Sequence, residues 1–271
     1  MPLEVCATPI GNLDDVSLRV LEALRAADLV LCEDTRRTRI LLDRHRIESR
    51  LLSYHRHNEA ARNAEVLARL AGGEGVALVS DAGLPGVNDP GARLIAEAIS
   101  ARLPVTVLPG ASAVETALVA SGLIGDRYQF VGYLPRRAGE LRALGAELAR
   151  WPHPVVAFES PRRLPASLRV LAESMPARPA AVCRELTKRF EEVVRASLEE
   201  LAERFADPPK GEITVVLGGV DVGRRRGGIS ADEAAAAVAE LVGAGVARKR
   251  AAELVARLTG VARNELYRSS L

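Results

Sequence analysis

The sequence predicts two successive α/β domains closed by a small helical segment. Three observations predict it. Short β-rich apolar runs alternate with stretches of helical periodicity. The pattern restarts after a glycine-containing turn, Ser121-Gly122-Leu123-Ile124-Gly125. A Gly/Arg stretch from Gly223 to Gly228 then precedes a tail with three helical patterns. The expected division is residues 1–120, 121–222 and 223–271.

In the first domain, Leu3–Ala7, Leu29–Cys32, Leu51–Ser53, Val76–Val79 and Val105–Leu108 read as strands. Ser17–Ala26, Arg36–Arg44, Glu59–Leu70, Gly91–Ala101 and Ser112–Ser121 read as the helices after them. Such alternation predicts a parallel-rich sheet with helices on both faces. In the second domain, strands are expected near Gln129–Tyr133, Val155–Phe158, Ala180–Cys183, Glu192–Ala196 and Ile213–Leu217. Glu140–Ala149, Arg163–Glu173 and Leu198–Phe205 fit between them as helices. The strands flanking Thr187–Phe190 suit a hairpin, which makes this sheet mixed. In the tail, Ser230 and Glu233 form a capping-box pattern. Ala247–Leu258 is a second helix stopped by Gly260, and Ala262–Ser269 a third. Three short helices suit either an RNA-docking module of the helix-turn-helix kind or a plain appendage.

The chain has 271 residues, 48% hydrophobic but only 3% aromatic, so Ala, Val and Leu must fill the interior. No apolar run reaches the roughly 18 residues of a membrane span. No signal peptide is read at Met1–Val5. Cys6, Cys32 and Cys183 lie far apart, which indicates neither a disulfide framework nor a zinc site, and no metal is expected. A reducing cytoplasm is the simplest setting. Net charge is +2, but arginines cluster at 36–37, 136–137, 162–163 and 224–226. Each cluster is either solvated surface or a phosphate contact.

The loops after the strands carry the chemistry. Ala7-Thr8-Pro9-Ile10-Gly11-Asn12 sits where open α/β sheets bind ligands. Its single glycine and its proline exclude the dinucleotide fingerprint, and no P-loop is present. H-E-x-x-H and G-x-S-x-G are absent too. The segment Val79–Gly91 holds two aspartates, three glycines and two prolines after a strand. Glycine permits close ligand approach, and proline stiffens the loop around it. Asp81 is placed to face a cleft, whereas Asp89 before Pro90 reads as the cap of the next helix. In Pro109–Ala113, Ser112 reads as a helix N-cap.

These loops resemble those of the tetrapyrrole-methylase superfamily. TPIGNL (Thr8–Leu13), SDAGLPGVNDPG (Ser80–Gly91) and LPGASA (Leu108–Ala113) stand in that family's order. Six further segments resemble its ribosomal RNA branch. They are CEDTRRTRILL (Cys32–Leu42), SYHRHNE (Ser53–Glu59), FVGYLPR (Phe130–Arg136), FESPRRL (Phe158–Leu164), CRELTKRFEEVVR (Cys183–Arg195) and KGEITVVL (Lys210–Leu217). The resemblance spans roughly residues 3 to 218. It implies two α/β domains with S-adenosylmethionine in the cleft between them, and a homodimer. It implies methylation of the ribose 2′-hydroxyl of a cytidine, cytidine 1402, in 16S rRNA of the small (30S) subunit. A tetrapyrrole or other small-molecule substrate is the alternative within the fold. By position, the resemblance assigns the cofactor to Pro9, Asp81, Gly83, Leu84, Ser112 and Ala113, and to Phe158, Glu159, Leu186, Gly211, Glu212 and Ile213.

Methyl transfer is an in-line displacement, so positioning contributes much of the rate. A ribose hydroxyl also gains from a general base. The candidates are Glu33, Asp34, His55, His57, Glu59, Glu159 and Glu185. Asp34 and Glu185 are preferred, because each follows a strand end and adjoins basic residues. Arg36, Arg37, Arg136, Arg162, Arg163, Lys188 and Arg189 form the expected RNA-facing set, giving salt-sensitive contacts to phosphate. Tyr54 and Tyr133 read either as half-buried packing or as surfaces for stacking on a splayed base.

Overall fold

The structure is a computed structural model that describes residues 2–219, 231–259 and 261–269. The Gly/Arg linker with Arg224–Arg226, the capping serine Ser230 and the stop Gly260 lie outside the described residues, as does the side chain of Glu233.

The first sheet contains β1 (Leu3–Cys6), β2 (Leu29–Cys32), β3 (Leu51–Ser53), β4 (Val76–Leu78) and β5 (Val105–Leu108). Its order is β3-β2-β4-β1-β5, and every pairing is parallel. β2 and β4 are wholly buried, as an apolar strand covered on both faces must be. One face packs on α1 (Leu18–Ala26) and α2 (Thr35–Arg44). The other packs on α3 (Glu59–Ala71) and α4 (Ala92–Ser100). Local chemistry starts the first two helices. The Ser17 side chain accepts from the Val20 amide, and the Asp34 side chain from the Arg36 amide.

The second sheet contains β6 (Gln129–Tyr133), β7 (Val155–Glu159), β8 (Pro179–Arg184), β9 (Glu192–Ser197) and β10 (Ile213–Leu217). Its order is β6-β7-β10-β8-β9. Only β6 and β7 run parallel, while β8 and β9 form the expected hairpin. The sheet is therefore mixed, as the sequence suggested. One face carries α6 (Ala138–Leu148), α7 (Leu164–Ser174) and α8 (Leu198–Arg204) over a large aliphatic core. A capping box starts α8: Ser197 accepts from the Glu200 amide, and Glu200 accepts from the Ser197 amide.

The opposite face of this sheet is covered by α5 (Ala113–Ser121), the last helix of the first half. Val114, Ala117 and Leu118 pack there on Val156, Ala181, Cys183 and Val216. The division expected near residue 120 thus falls at the end of a helix whose body belongs to the second sheet. α5 stops at Gly122, which takes φ 72°.

The tail forms α9 (Ala231–Gly243), α10 (Arg248–Thr259) and α11 (Arg263–Ser269). Their own small core contains Ala234, Val238, Ala251, Ala252, Val255 and Leu266. Among the described residues, no helix is long and apolar enough to cross a membrane. No group of three or more His, Cys, Asp or Glu among them is placed to hold a metal ion.

All three cysteines are buried and free. Burial pushes the Cys6 and Cys183 thiols up to about 12. The thiolate is the reactive form. Ellman's reagent at pH 8 is therefore expected to leave the native protein unlabelled and to titrate all three thiols in denaturant. Rapid labelling of the native protein would contradict this packing.

Candidate active site

The carboxyl ends of β1, β4 and β5 face the carboxyl ends of β6 and β7 across a cavity of about 670 Å³. That lies within the roughly 300–1,000 Å³ usual for small-ligand sites. The loop Asp81–Asp89 and the segment Pro109–Glu115 form one side. Phe130, Tyr133, Phe158–Pro161, Leu186 and Gly211–Thr214 form the other. β10 contributes its beginning because it runs antiparallel to β7, pairing Ile213 with Glu159. Phe130 and Tyr133 each meet Phe158 edge to face, at 4.9 and 5.6 Å between centroids. This makes an aromatic wall suited to a planar ring.

The two halves touch beside the cavity. The Asn12 amide donates to Thr187 Oγ1 at 3.0 Å. A Cβ on Gly11 would lie 2.5 Å from Lys188 Cγ, 2.6 Å from Thr187 Oγ1 and 2.7 Å from the Leu186 carbonyl. Glycine is required there for close approach. The loops of the first sheet are also stitched together. Thr8 and Gly83 exchange both backbone hydrogen bonds, at 2.8 and 3.0 Å, and Thr8 Oγ1 donates to the Ser80 carbonyl.

Of the twelve residues that the resemblance assigns to the cofactor, eleven line this cavity. Pro9 does not. It is buried against a small neighbouring pocket with Leu13, Thr38 and Leu41. Ser112 holds the N-cap position of α5 but makes no side-chain cap; its hydroxyl donates to Glu115. Glu115 also accepts from the Tyr128 hydroxyl at 2.6 Å. Glu159 is buried, ion-paired with Arg163 at 2.8 Å and bonded to Ser167 and the Ser160 amide.

Neither preferred base lines the cavity. Asp34 caps α2 and holds the Arg36 guanidinium through both oxygens, which keeps its carboxyl down at about 2. Its own amide donates to Asp81 Oδ1 at 3.1 Å. Glu185 accepts from the Glu212 amide at 2.9 Å and pairs with Lys188, and both lower its pKa. A carboxylate stabilised in its charged form is a weak proton acceptor. Both residues hold local structure together.

Several other expectations are corrected. Tyr54 is fully buried, its hydroxyl donating to Asn63 at 2.7 Å, so no base can stack on it. Arg163 donates to the Leu134 carbonyl and to Glu159, which ties its guanidinium into an internal clamp. Lys188 is engaged by Glu185 and Glu212. Arg37 lines the cavity and pairs with Asp81 at 3.4 Å. Arg36, Arg136, Arg162 and Arg189 are exposed, and Tyr133 lines the cavity while remaining 58% exposed. Asp89 does not cap α4, whose N-cap is Gly91, at φ 117°, with no side-chain cap. Asp89 lines the cavity instead.

The acidic side chains at the first sheet's edge influence one another. Burial first, then Asp81, raises the Glu33 carboxyl. Burial first, then Glu33, raises Asp89 to about 6. Arg56, and after it His55, act in the opposite direction on Glu33. His57 stacks edge to face on His55, and Glu59 opens α3.

A family model described as Tetrapyrrole (Corrin/Porphyrin) Methylases matches residues 5–202. The chain belongs to the tetrapyrrole methylase family. Its relatives there include proteins named Ribosomal RNA small subunit methyltransferase I. The one from Mesorhizobium japonicum is 44% identical, over 99% of this chain and 91% of its own. That of Mycobacterium tuberculosis is 47% identical over 96% and 91%, and that of Thermotoga maritima 42% over 80% and 98%. Among solved structures, a uroporphyrin-III C-methyl transferase from Thermus thermophilus, complexed with S-adenyl homocysteine, superimposes with a TM-score of 0.59. It is 19% identical and covers 83% of this chain and 100% of that one. A diphthine synthase gives 0.60 at 19% identity, over 80% and 90%. These structures establish the shared fold of this methyltransferase.

Proposed function

We propose that this tetrapyrrole methylase uses S-adenosylmethionine to methylate the ribose 2′-hydroxyl of a cytidine, cytidine 1402, in 16S rRNA of the small ribosomal subunit. The carrying observation is its likeness, over nearly the whole chain, to relatives named for small-subunit ribosomal RNA.

The cavity suits the donor. Its walls combine an aromatic face with a few polar groups, and its volume accommodates a nucleoside with an amino-acid tail. Phe158, Leu186 and Ile213 would cover the base, while Asp81, Gly83 and Ser112 supply polar contacts from the facing loops. When bound, the donor supplies a methyl group already activated by its sulfonium. The protein's part is to orient, to exclude water and to remove a proton. Asp34 and Glu185 act in this reading as positioning residues: Asp34 holds Asp81 through its amide, and Glu185 fixes the Gly211–Ile213 turn through the Glu212 amide.

Arg36, Arg136, Arg162 and Arg189 are the arginines left at the surface for RNA phosphate, with Tyr133 open for a base. The C-terminal helices, with exposed Lys249, Arg250 and Arg257 over their own core, serve as a docking module. A homodimer and a cytoplasmic location belong to the same reading.

The test incubates purified protein and labelled S-adenosylmethionine with 16S rRNA, with 30S subunits or with a porphyrinogen, followed by mass mapping of the RNA. One methyl group on a cytidine ribose is expected. Label found only on the tetrapyrrole would overturn the assignment.

A further inference from the structure

Phe190 is the most exposed aromatic side chain among the described residues, with 66% of its surface open. Of the other phenylalanines, Phe205 is buried, and Phe130 and Phe158 build the cavity wall. One exposed apolar side chain is ordinary by itself. Three features set this one apart: its support is stiff, that support is tied to the cavity, and a cation lies over its ring.

Phe190 stands in the turn that joins β8 to β9. In that turn Glu185 and Thr187 take φ 52° and 64°. Residues other than glycine keep such angles only where their surroundings hold them. The holding contacts are present. The Thr187 amide donates to Glu191 Oε2 at 2.6 Å, and the Lys188 and Glu191 amides donate to the Glu185 and Lys188 carbonyls at 3.0 and 3.1 Å. A side chain carried on so constrained a turn costs a ligand little to order.

The same turn is anchored to both sides of the cavity. Leu186 lines it, and Thr187 Oγ1 accepts the Asn12 amide from the first half. Lys188 pairs with Glu185 and with Glu212, which lines the cavity too. The ring therefore stands at a fixed offset from the place where the donor would sit.

Arg189 completes the arrangement. Its guanidinium carbon lies 5.5 Å from the centroid of the Phe190 ring, within cation–π range. Among the described residues Arg189 makes no ion pair, whereas the charge of Lys188 is spent on two carboxylates. The tip thus joins a flat apolar surface to an unspent positive charge. Every nucleotide of an unpaired RNA strand presents the matching pair: a base that stacks on aromatic rings and a phosphate that accepts from guanidinium.

We propose that Arg189 and Phe190 form a docking platform for one unpaired nucleotide of the RNA substrate, close to the nucleotide that is methylated. The inference rests on the function proposed above and adds a binding site outside its cavity. Phe190 stacks on the base, and Arg189 holds the neighbouring phosphate. Neither is a catalytic residue; both position the strand. Every base has a face to stack, so the platform sets the register of the strand rather than reading its sequence.

Binding of the full-length protein to 30S subunits and steady-state methylation test this, with F190A, F190W, R189A and wild type compared. F190A should weaken binding and raise KM by about 5–100-fold, the scale of one lost base stack, with kcat nearly unchanged. F190W should restore both. R189A should lower the slope of log affinity against log salt by about 0.7–0.9, whereas F190A should leave that slope as it is. S-adenosylhomocysteine affinity, Tm and sedimentation should match wild type in all three variants. A single-stranded RNA oligonucleotide should quench the added indole emission of F190W. F190A binding within about twofold of wild type, a loss in kcat without a rise in KM, or F190W as weak as F190A would each overturn the proposal. So would an unchanged salt slope in R189A, or altered S-adenosylhomocysteine binding in F190A. A smaller sedimenting species in F190A would assign the ring to a contact between two copies of the chain and overturn it too. Wild type that leaves the RNA unmethylated fails the functional reading instead, and quenching of F190W by the oligonucleotide still judges the platform separately.

Discussion

Gly11→Ala is expected to slow methyl transfer by roughly 10²-fold while both sheets remain folded. The new methyl would press on the Leu186 carbonyl, Thr187 Oγ1 and Lys188 Cγ at once. The lysine stem can swing away, but the carbonyl is backbone and cannot. Relief requires a shift of the Leu186 segment, which lines the cavity, or of the loop after β1. Reactions that depend on alignment tolerate such displacements poorly. Overpacking of this kind costs about 1–3 kcal/mol, too little to unfold a two-sheet protein. Single-turnover rates and thermal melts on the same preparation check both halves of the expectation. Gly139→Ala in α6 is the control, since nothing lies within 4 Å of its added Cβ. Unchanged turnover in Gly11→Ala would show that the seam has no part in aligning the site.

Glu159→Ala is expected to destabilise the protein by about 3–5 kcal/mol, the usual result of stripping one partner from a buried ion pair. The Glu159 carboxylate is fully buried at the end of β7, whereas Arg163 retains some exposure. Removing it leaves the Ser160 amide and Ser167 hydroxyl without their acceptor. The turn that starts α7 then loses its anchor, as does the Phe158–Pro161 wall of the cavity. A fall in Tm of about 10 °C is the corresponding scale for a chain of this size. Calorimetry or circular dichroism reads it, with loss of S-adenosylhomocysteine binding in parallel. A variant melting within 2–3 °C of wild type, on the same rough scale, would mean that Arg163 is stabilised chiefly by the Leu134 carbonyl.

The order of the elements and most of the cavity wall were legible in the chain. Apolar runs such as Leu29–Cys32 and Val76–Leu78 have no amphipathic alternation, which marks buried parallel strands. Glycine- and proline-bearing loops after β1, β4 and β5 lie where such a sheet must bind ligands. What was not legible depends on distance through space. Tyr54 could be read as packing or as a stacking surface, and only the fold decides, because α3 brings Asn63 to its hydroxyl. Asp34 looks like a catalytic carboxylate, but two residues of spacing at a helix start turn it onto the Arg36 guanidinium. Asp89 before Pro90 has every local mark of a cap, and Gly91 takes that position because the chain turns through φ 117° there. The antiparallel placement of β10, which carries Gly211–Ile213 to the end of β7, follows from pairings that no local pattern encodes.

α5 binds the fate of the two sheets together. It starts at the cavity and ends at Gly122, yet its apolar side completes the interior above β7, β8 and β10. Cutting the chain after this helix would leave the downstream half with a bare oily sheet. Cutting before it would strip the upstream half of the residues that close its ligand mouth. A cut on either side of α5 is therefore expected to damage one half or the other, which ties the integrity of both to this one helix.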